Sequence, residues 1–223
     1  MKVAVLERLL HERHSCRAFL PDAVPRDVQK RIFATAQRAA SWGNTQPWSV
    51  VVASGAAVER FRAGMLEAAD SGRSDCDFAF PDEYTPVSLE RRRECGFRLY
   101  AAVGIEKGDK AGYLRQTREN FRLFGAPHVA LVTSDPGLTS YGAVDVGGYV
   151  QFLLLAMHAH GVAAIAQGAL ASQSGLAKAL LGEHPSRKVV CGVSFGYEDK
   201  SHPANTFRTT RVSVEESVRW VDV

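Results

Sequence analysis

No run of apolar residues in this 223-residue sequence is long enough to cross a bilayer; the most apolar stretch, 144–159, is short and interrupted. Residues 1–11 form an amphipathic stretch without a long apolar core or a small-residue cleavage site, so a cytoplasmic protein is expected. Cysteine is scarce. The four at 16, 76, 95 and 191 show neither CxxC spacing nor histidine neighbours at zinc-ligand spacing. A disulfide framework and a structural metal are therefore not expected, and the cysteines read as reduced thiols. The net charge is only +3, which provides no basic face for nucleic acid. HExxH and GxSxG are missing. No GxGxxG follows an expected strand, and GAVDVGGY at 142–149 has phosphate-loop glycines without the Lys-Ser/Thr ending. Any nicotinamide nucleotide must bind without a Rossmann domain.

What is present is a chain able to build a core, with 46% apolar residues. Its length fits one domain over 1–223, ending in a polar arm from Tyr197 with little periodicity before Val218. Val3, Leu6, Leu9 and Leu10 recur at helical spacing before Arg13. Pro25 and Asp27 suit a second helix start after the loop 21–25. Its apolar face runs from Val28 to Ala39, and Gly43 and Pro47 stop it near Trp42. Strands are expected over 48–53, which is apolar and β-branched, and over 128–134, 162–166 and 188–195. Helices are expected over 56–69, 89–102, 111–121, 144–160 and 173–181, and the polar segment 70–86 reads as a long loop or lid. Without regular βαβ alternation, the class is α+β with a mostly antiparallel sheet wrapped by helices.

Four segments stand out chemically. In Arg13-His14-Ser15-Cys16-Arg17, two guanidiniums flank a hydroxyl, which suits a phosphate, or else a solvated basic turn. Residues 40–48 place Asn44 and Gln46 amides between a helix and a strand, suited to a heterocycle edge or to a packed helix-stop loop. Gln167-Gly168 ends a strand where glycine admits close backbone approach, or simply turns the chain. Residues 205–211 carry Arg208 and Arg211 with two hydroxyls, completing an anion site or forming a surface tail. Phe121, Phe124, His158 and His160 read as packing residues, and Arg91 to Arg93 as a solvated helix face.

In this order RHSCRAF, SWGNTQPW, QGALA and NTFRTTR resemble the FMN-dependent nitroreductase family. The likeness runs over 6–216 and is weakest over 70–86; RRRECGFRLY followed by RENFRLFGAPH resembles its nitrobenzene and nitrobenzoate reductase branch. The resemblance implies an α+β nitroreductase-like fold and a homodimer with two FMN sites in the interface. It assigns Arg13, Ser15 and Arg211 to the FMN phosphate, with Arg208 a further candidate, and His14 to the ribityl or phosphate. Arg17 falls near N1 and the C2 carbonyl of the flavin, where a cation favours the reduced form. Ser41, Trp42 and Asn44 match a loop packed against the flavin of the other subunit, with Gln46 at the ring edge or ribityl chain. The backbone of Gln167 and Gly168 matches the strand end facing N5 and O4. Ala40 replaces a proline and Thr209 a lysine found in family members.

The activity implied is ping-pong hydride transfer from NADH or NADPH, through FMN, to a nitroaromatic, quinone or similar small electron-poor acceptor. The flavin carries the chemistry, so no side-chain acid or base is assigned. Another reaction on the same fold (dehalogenation, flavin fragmentation or ring oxidation) and a non-catalytic flavin-binding protein are the alternatives.

Overall fold

The computed structural model describes residues 2–72 and 74–222; Met1, Arg73 and Val223 lie outside the described residues, and with them both ends of the expected 1–223 domain and one position of the 70–86 segment. Four strands form one sheet: β1 (Ser49–Ser54), β2 (His128–Ser134), β3 (Ala163–Gln167) and β4 (Lys188–Gly196). Their spatial order is β1-β2-β4-β3, and every pairing is antiparallel. β2 is buried at every position. That suits a central strand whose two faces both meet apolar layers.

The helices are α1 (Lys2–Glu12), α2 (Arg26–Ala36), α3 (Ala56–Asp70), α4 (Pro86–Ala102), α5 (Lys110–Arg118), α6 (Thr139–Ala159), α7 (Ser174–Leu181) and the short α8 (Val214–Ser217). One core layer joins α2 and α6 to one sheet face through Ile32, Ala36, Val146, Leu153 and Met157. The other joins α3 and α7 to the opposite face through Phe61, Met65, Leu131 and Ala177. Leu153 is fully buried, and truncating such a leucine to alanine costs about 2–5 kcal/mol.

Helix bounds differ from the sequence expectation by three residues or more at four places. One is α4, which begins at Pro86 rather than 89, behind its Thr85 cap. α2 ends at Ala36, short of the expected stop at Trp42. Past it the Gln37 side chain accepts the indole N–H of Trp48 at 2.8 Å, and by Ser41 the chain is extended. α5 ends at Arg118 rather than 121, since Leu123 and Phe124 take positive φ values of 58° and 52° to turn the chain into β2. α6 begins at Thr139, five positions before 144. Of its glycines, Gly142 has a packing reason. A Cβ on Gly142 would lie 2.6 Å from Ser134 Oγ and 2.9 Å from Leu138 Cβ, so glycine lets the helix start against β2. GAVDVGGY therefore lies within a helix and forms no phosphate loop.

The 70–86 segment lacks helix or strand among its described residues between Asp70 and Pro86, but is tied down. Gly175 N–H donates to Asp75 Oδ2 at 2.9 Å, and Asp77 N–H to Ser174 Oγ at 3.1 Å. Lys178 Nζ lies 2.9 Å from Asp77 Oδ2, and Val189 N–H donates to the same oxygen at 2.8 Å. Burial pushes the Asp77 carboxyl up, but the Val189 N–H and Lys178 outweigh it and hold it below the usual carboxylate range.

Candidate functional site

The edge of β3 assembles the first half of the site. Ser15 bridges Ala164 in parallel, and Cys16 N–H donates to the Ala164 carbonyl at 3.2 Å. The alternation of an extended chain then buries Cys16 completely and leaves its neighbours outward. Burial pushes the Cys16 thiol up to about 12, which removes it from thiolate chemistry.

Arg13, Ser15 and Arg17 line a cavity of about 310 Å³ together with Phe207, Arg208 and Arg211. Four arginines line this space and no Asp or Glu does. Burial lowers the Arg13 pKa, and the charge of Arg211 lowers it further. Such mutual repulsion is relieved by an anion between the two groups. The Arg17 guanidinium sits 5.4 Å from the Phe207 ring centroid and donates to the Ser15 carbonyl at 3.2 Å. Burial holds its pKa below the ordinary arginine value. Arg208 spends Nη1 on the carbonyls of Asn205 and Phe207, at 2.7 and 2.9 Å. Arg211 contacts Thr209 Oγ1 at 2.8 Å.

His14 also lines the cavity, but both ring nitrogens are engaged. Nε2 lies 2.8 Å from Glu198 Oε1 and Nδ1 3.2 Å from the Glu12 carbonyl. Gln167 is buried, its amide donating to the Asn120 carbonyl at 2.8 Å and accepting from Ser194 Oγ. Its side chain is thus spent internally, and only backbone is left at the strand end. Gly168 opens there toward Phe80, whose ring edge would lie 3.8 Å from a Cβ at that position.

The second half stands elsewhere. Trp42 N–H donates to Asp145 Oδ2 at 3.0 Å, and the Trp42 ring lies 5.1 Å from that of Tyr141, both near the start of α6. Ser41 Oγ accepts from Gln46 N–H at 2.9 Å, and Gln46 Nε2 donates to the Asn44 carbonyl at 3.2 Å. Gly43, Asn44 and Gln46 all have positive φ (52°, 59° and 46°), a conformation that costs non-glycine residues free energy and collects at functional loops. Trp42 remains 66% exposed.

Within one chain these halves do not meet. The 41–46 loop lies at the sheet end where Ser49 pairs Thr133, and the arginine cavity near the end where Ala163 pairs Gly196. His158, which lines a cavity with Arg13, follows Tyr141 by seventeen positions of α6, or about 25 Å of helical rise. Phe121 and Phe124 are buried, as packing residues should be.

Two residues in the arginine half escaped the sequence reading. Glu198 fixes the His14 ring, and nothing in its sequence context marks it. Asn205 accepts from Arg17 N–H at 2.7 Å and donates to the Ala18 and Asp199 carbonyls at 3.0 and 2.9 Å. It opens the NTFRTTR motif, so the signal was there, masked by the arginines beside it.

Comparison with known proteins gives a consistent result. The nitroreductase family model matches residues 10–197. Nitroreductase NfnB of Mycolicibacterium smegmatis is 38% identical over 215 residues, covering 96% of this chain and 92% of its own. The 4-nitrobenzoate reductase of Pseudomonas putida is 32% identical, covering 92% of this chain and 90% of its own. The crystal structure of FMN-dependent NfnB from Mycobacterium smegmatis in complex with NADPH superposes with a TM-score of 0.95 at 37% identity over the whole of both chains.

Proposed function

The chain belongs to the nitroreductase family, and from that premise we propose that it is an FMN-dependent oxidoreductase passing electrons from NAD(P)H to nitroaromatic and related electron-poor acceptors. The observation that carries the reading is the cavity in which Arg13, Arg17, Arg208 and Arg211 converge with no carboxylate in its lining. Guanidinium groups of that arrangement fit a phosphate dianion through paired charge-assisted bonds. The donor set suits FMN, and the repulsion between Arg13 and Arg211 is the expected mark of an anion site.

FMN held there would supply the redox chemistry, two-electron exchange between NAD(P)H and an electron-poor acceptor. The chain's own part is binding, orientation and electrostatics. Arg13, Ser15 and Arg211 would hold the phosphate end, Arg208 would lend charge nearby, and His14, locked by Glu198, would form part of the wall beside the ribityl or phosphate. Arg17, half-desolvated and held against Phe207, places a fixed positive charge where a reduced ring gathers negative charge. The backbone at Gln167 and Gly168 would receive the ring of the flavin, with no Cβ on Gly168 to hold a ligand away.

Ser41, Trp42, Asn44 and Gln46 belong to the site of a second copy, so the working unit is a homodimer. Its support is the apolar surface that one chain leaves uncovered. α1 has no buried residue and exposes Val3, Leu6 and Leu10, while α6 exposes Tyr141, Val144 and Phe152. Large apolar side chains left exposed along two helices favour an interface. A reducing compartment, the cytoplasm, suits the four free cysteines. No helix among the described residues is long and apolar enough to cross a membrane.

The test is spectroscopic. The purified protein is expected to show bound flavin, to bleach on anaerobic addition of NADPH or NADH, and to recover its colour when a nitroaromatic is added. Flavin that stays oxidised with both nucleotides overturns the reductase reading.

A further inference from the structure

We propose that Asn205 is a positioning residue, whose side-chain amide clamps the two arms of the arginine cavity together and so creates its preference for a phosphorylated flavin. The proposal rests on the phosphate reading given above. The residues that meet at the cavity come from two segments far apart in sequence, 13–17 and 207–211, and neither is part of a paired strand or helix that would fix the other.

Asn205 is 4% exposed and sits at the end of a short 3-10 turn, Pro203–Asn205. Its Oδ1 accepts from Arg17 N–H at 2.7 Å. Its Nδ2 donates both hydrogens, to the Ala18 carbonyl at 3.0 Å and the Asp199 carbonyl at 2.9 Å. The orientation of the amide is forced. Turned over, its NH2 would face an N–H and its oxygen two carbonyls. Three segments are therefore cross-linked by one buried amide: the arginine-bearing turn, the chain after β4, and the arm that begins at Asn205 itself.

Its main chain takes part as well. The Asn205 carbonyl accepts from Arg208 Nη1 at 2.7 Å. Phe207, two residues on, lies under Arg17. Moving Asn205 moves the base from which Arg208 and Arg211 reach the cavity, while Asn205 itself does not line it. Like-charged groups that repel each other do not converge unaided, and this clamp supplies a fixed link between their two segments.

The experiment compares dissociation constants for FMN and riboflavin, read by flavin fluorescence on the flavin-depleted full-length protein, for the parent, Asn205→Ala, Asn205→Asp and Arg13→Ala. The preference for FMN over riboflavin is expected to fall about tenfold in Asn205→Ala, with riboflavin affinity little changed. A purely architectural residue would lower stability and weaken both ligands together. Asn205→Asp, close to isosteric, keeps the acceptor for Arg17 but sets a carboxylate against two carbonyls. Its loss of preference, relative to the parent at the same pH, is expected to be larger at pH 8 than at pH 5, where a protonated carboxyl can donate. A preference that survives in both Asn205 variants but falls in Arg13→Ala overturns the clamp and leaves the phosphate reading standing. A preference that survives in Arg13→Ala as well overturns the phosphate reading itself.

Discussion

Arg13 and Arg211, near opposite ends of the chain, line one cavity, and the charge of Arg211 makes Arg13 easier to deprotonate. The fold thus holds two cations in proximity at an electrostatic cost that only an anion offsets. Replacing both by alanine is expected to remove that cost along with the ligand. Each charged hydrogen bond to phosphate contributes about 1.5–3 kcal/mol, so the double variant should bind FMN at least a hundredfold more weakly. Its flavin-free form should melt no lower than the flavin-free parent. Gel filtration followed by an absorption spectrum reads the first outcome and thermal unfolding the second. Full flavin stoichiometry in the double variant would mean the phosphate lies elsewhere.

A second expectation concerns acid. His128 Nε2 accepts from Val24 N–H at 2.8 Å, so its proton is on Nδ1 and Ser54 Oγ accepts it at 2.6 Å. That direction also means Ser54 is not activated as a nucleophile by this histidine. Burial lowers the imidazole from its ordinary value to about 4. Below pH 6.5 the unfolded chain takes up a proton that the folded one refuses, so stability is complete above that pH. It is lost as pH falls toward 4, by on the order of 3 kcal/mol. Urea unfolding at pH 7.5 and 4.5 should show the loss, and His128→Gln, which does not titrate, should reduce it. An equal acid loss in the variant would assign it to other groups.

The Asp77–Lys178 pair gives a third. Both side chains are about 10% exposed, and Lys178 also donates to the Pro185 and Arg187 carbonyls. Removing one member of such a pair strands the other charge, which costs about 3–5 kcal/mol. Asp77→Ala should therefore lower the melting temperature, and should open the 74–85 segment to limited proteolysis. Asp77→Asn, which can still accept from Val189 N–H, should be milder on both measures. Parent-like protease resistance in Asp77→Ala would show that the segment is held by its other contacts.

How much of this was legible in the sequence follows from how local each cause is. The four strands were readable because buried apolar runs such as Val129 to Val132 report their own environment. Arg13, Ser15, Arg17 and Arg211 were readable as types, but their convergence depends on Asn205 and on the β3 edge, which no spacing rule reaches. The start of α6 was hidden by Gly142, which closely contacts Ser134 of β2. α8 did have a local signal: Ser213 accepts from Glu216 N–H at 3.3 Å, the mark of an N-cap that the polar arm seemed too irregular to hold. The 70–86 segment was opaque because its order comes from Asp75 and Asp77 meeting α7 and β4, residues about a hundred positions away.

The two halves of the proposed site permit a complementation test. If the arginine cavity of one copy and the 41–46 loop of its partner serve one flavin, damage to either half disables both sites of a homodimer. Take Arg13→Ala/Arg211→Ala as one variant and Trp42→Ala/Asn44→Ala as the other. In a mixed dimer one site receives both damaged halves and the other receives none. Unfolding and refolding an equal mixture should yield mixed dimers as half of the population, hence about one quarter of the parent's flavin sites and reductase activity. Each variant refolded alone should recover almost nothing. Were the loop instead part of its own chain's site, every chain in the mixture would carry one lesion at its only site, and mixing would restore no activity. The roughly 25 Å of α6 between Tyr141 and His158 makes the first outcome the expected one.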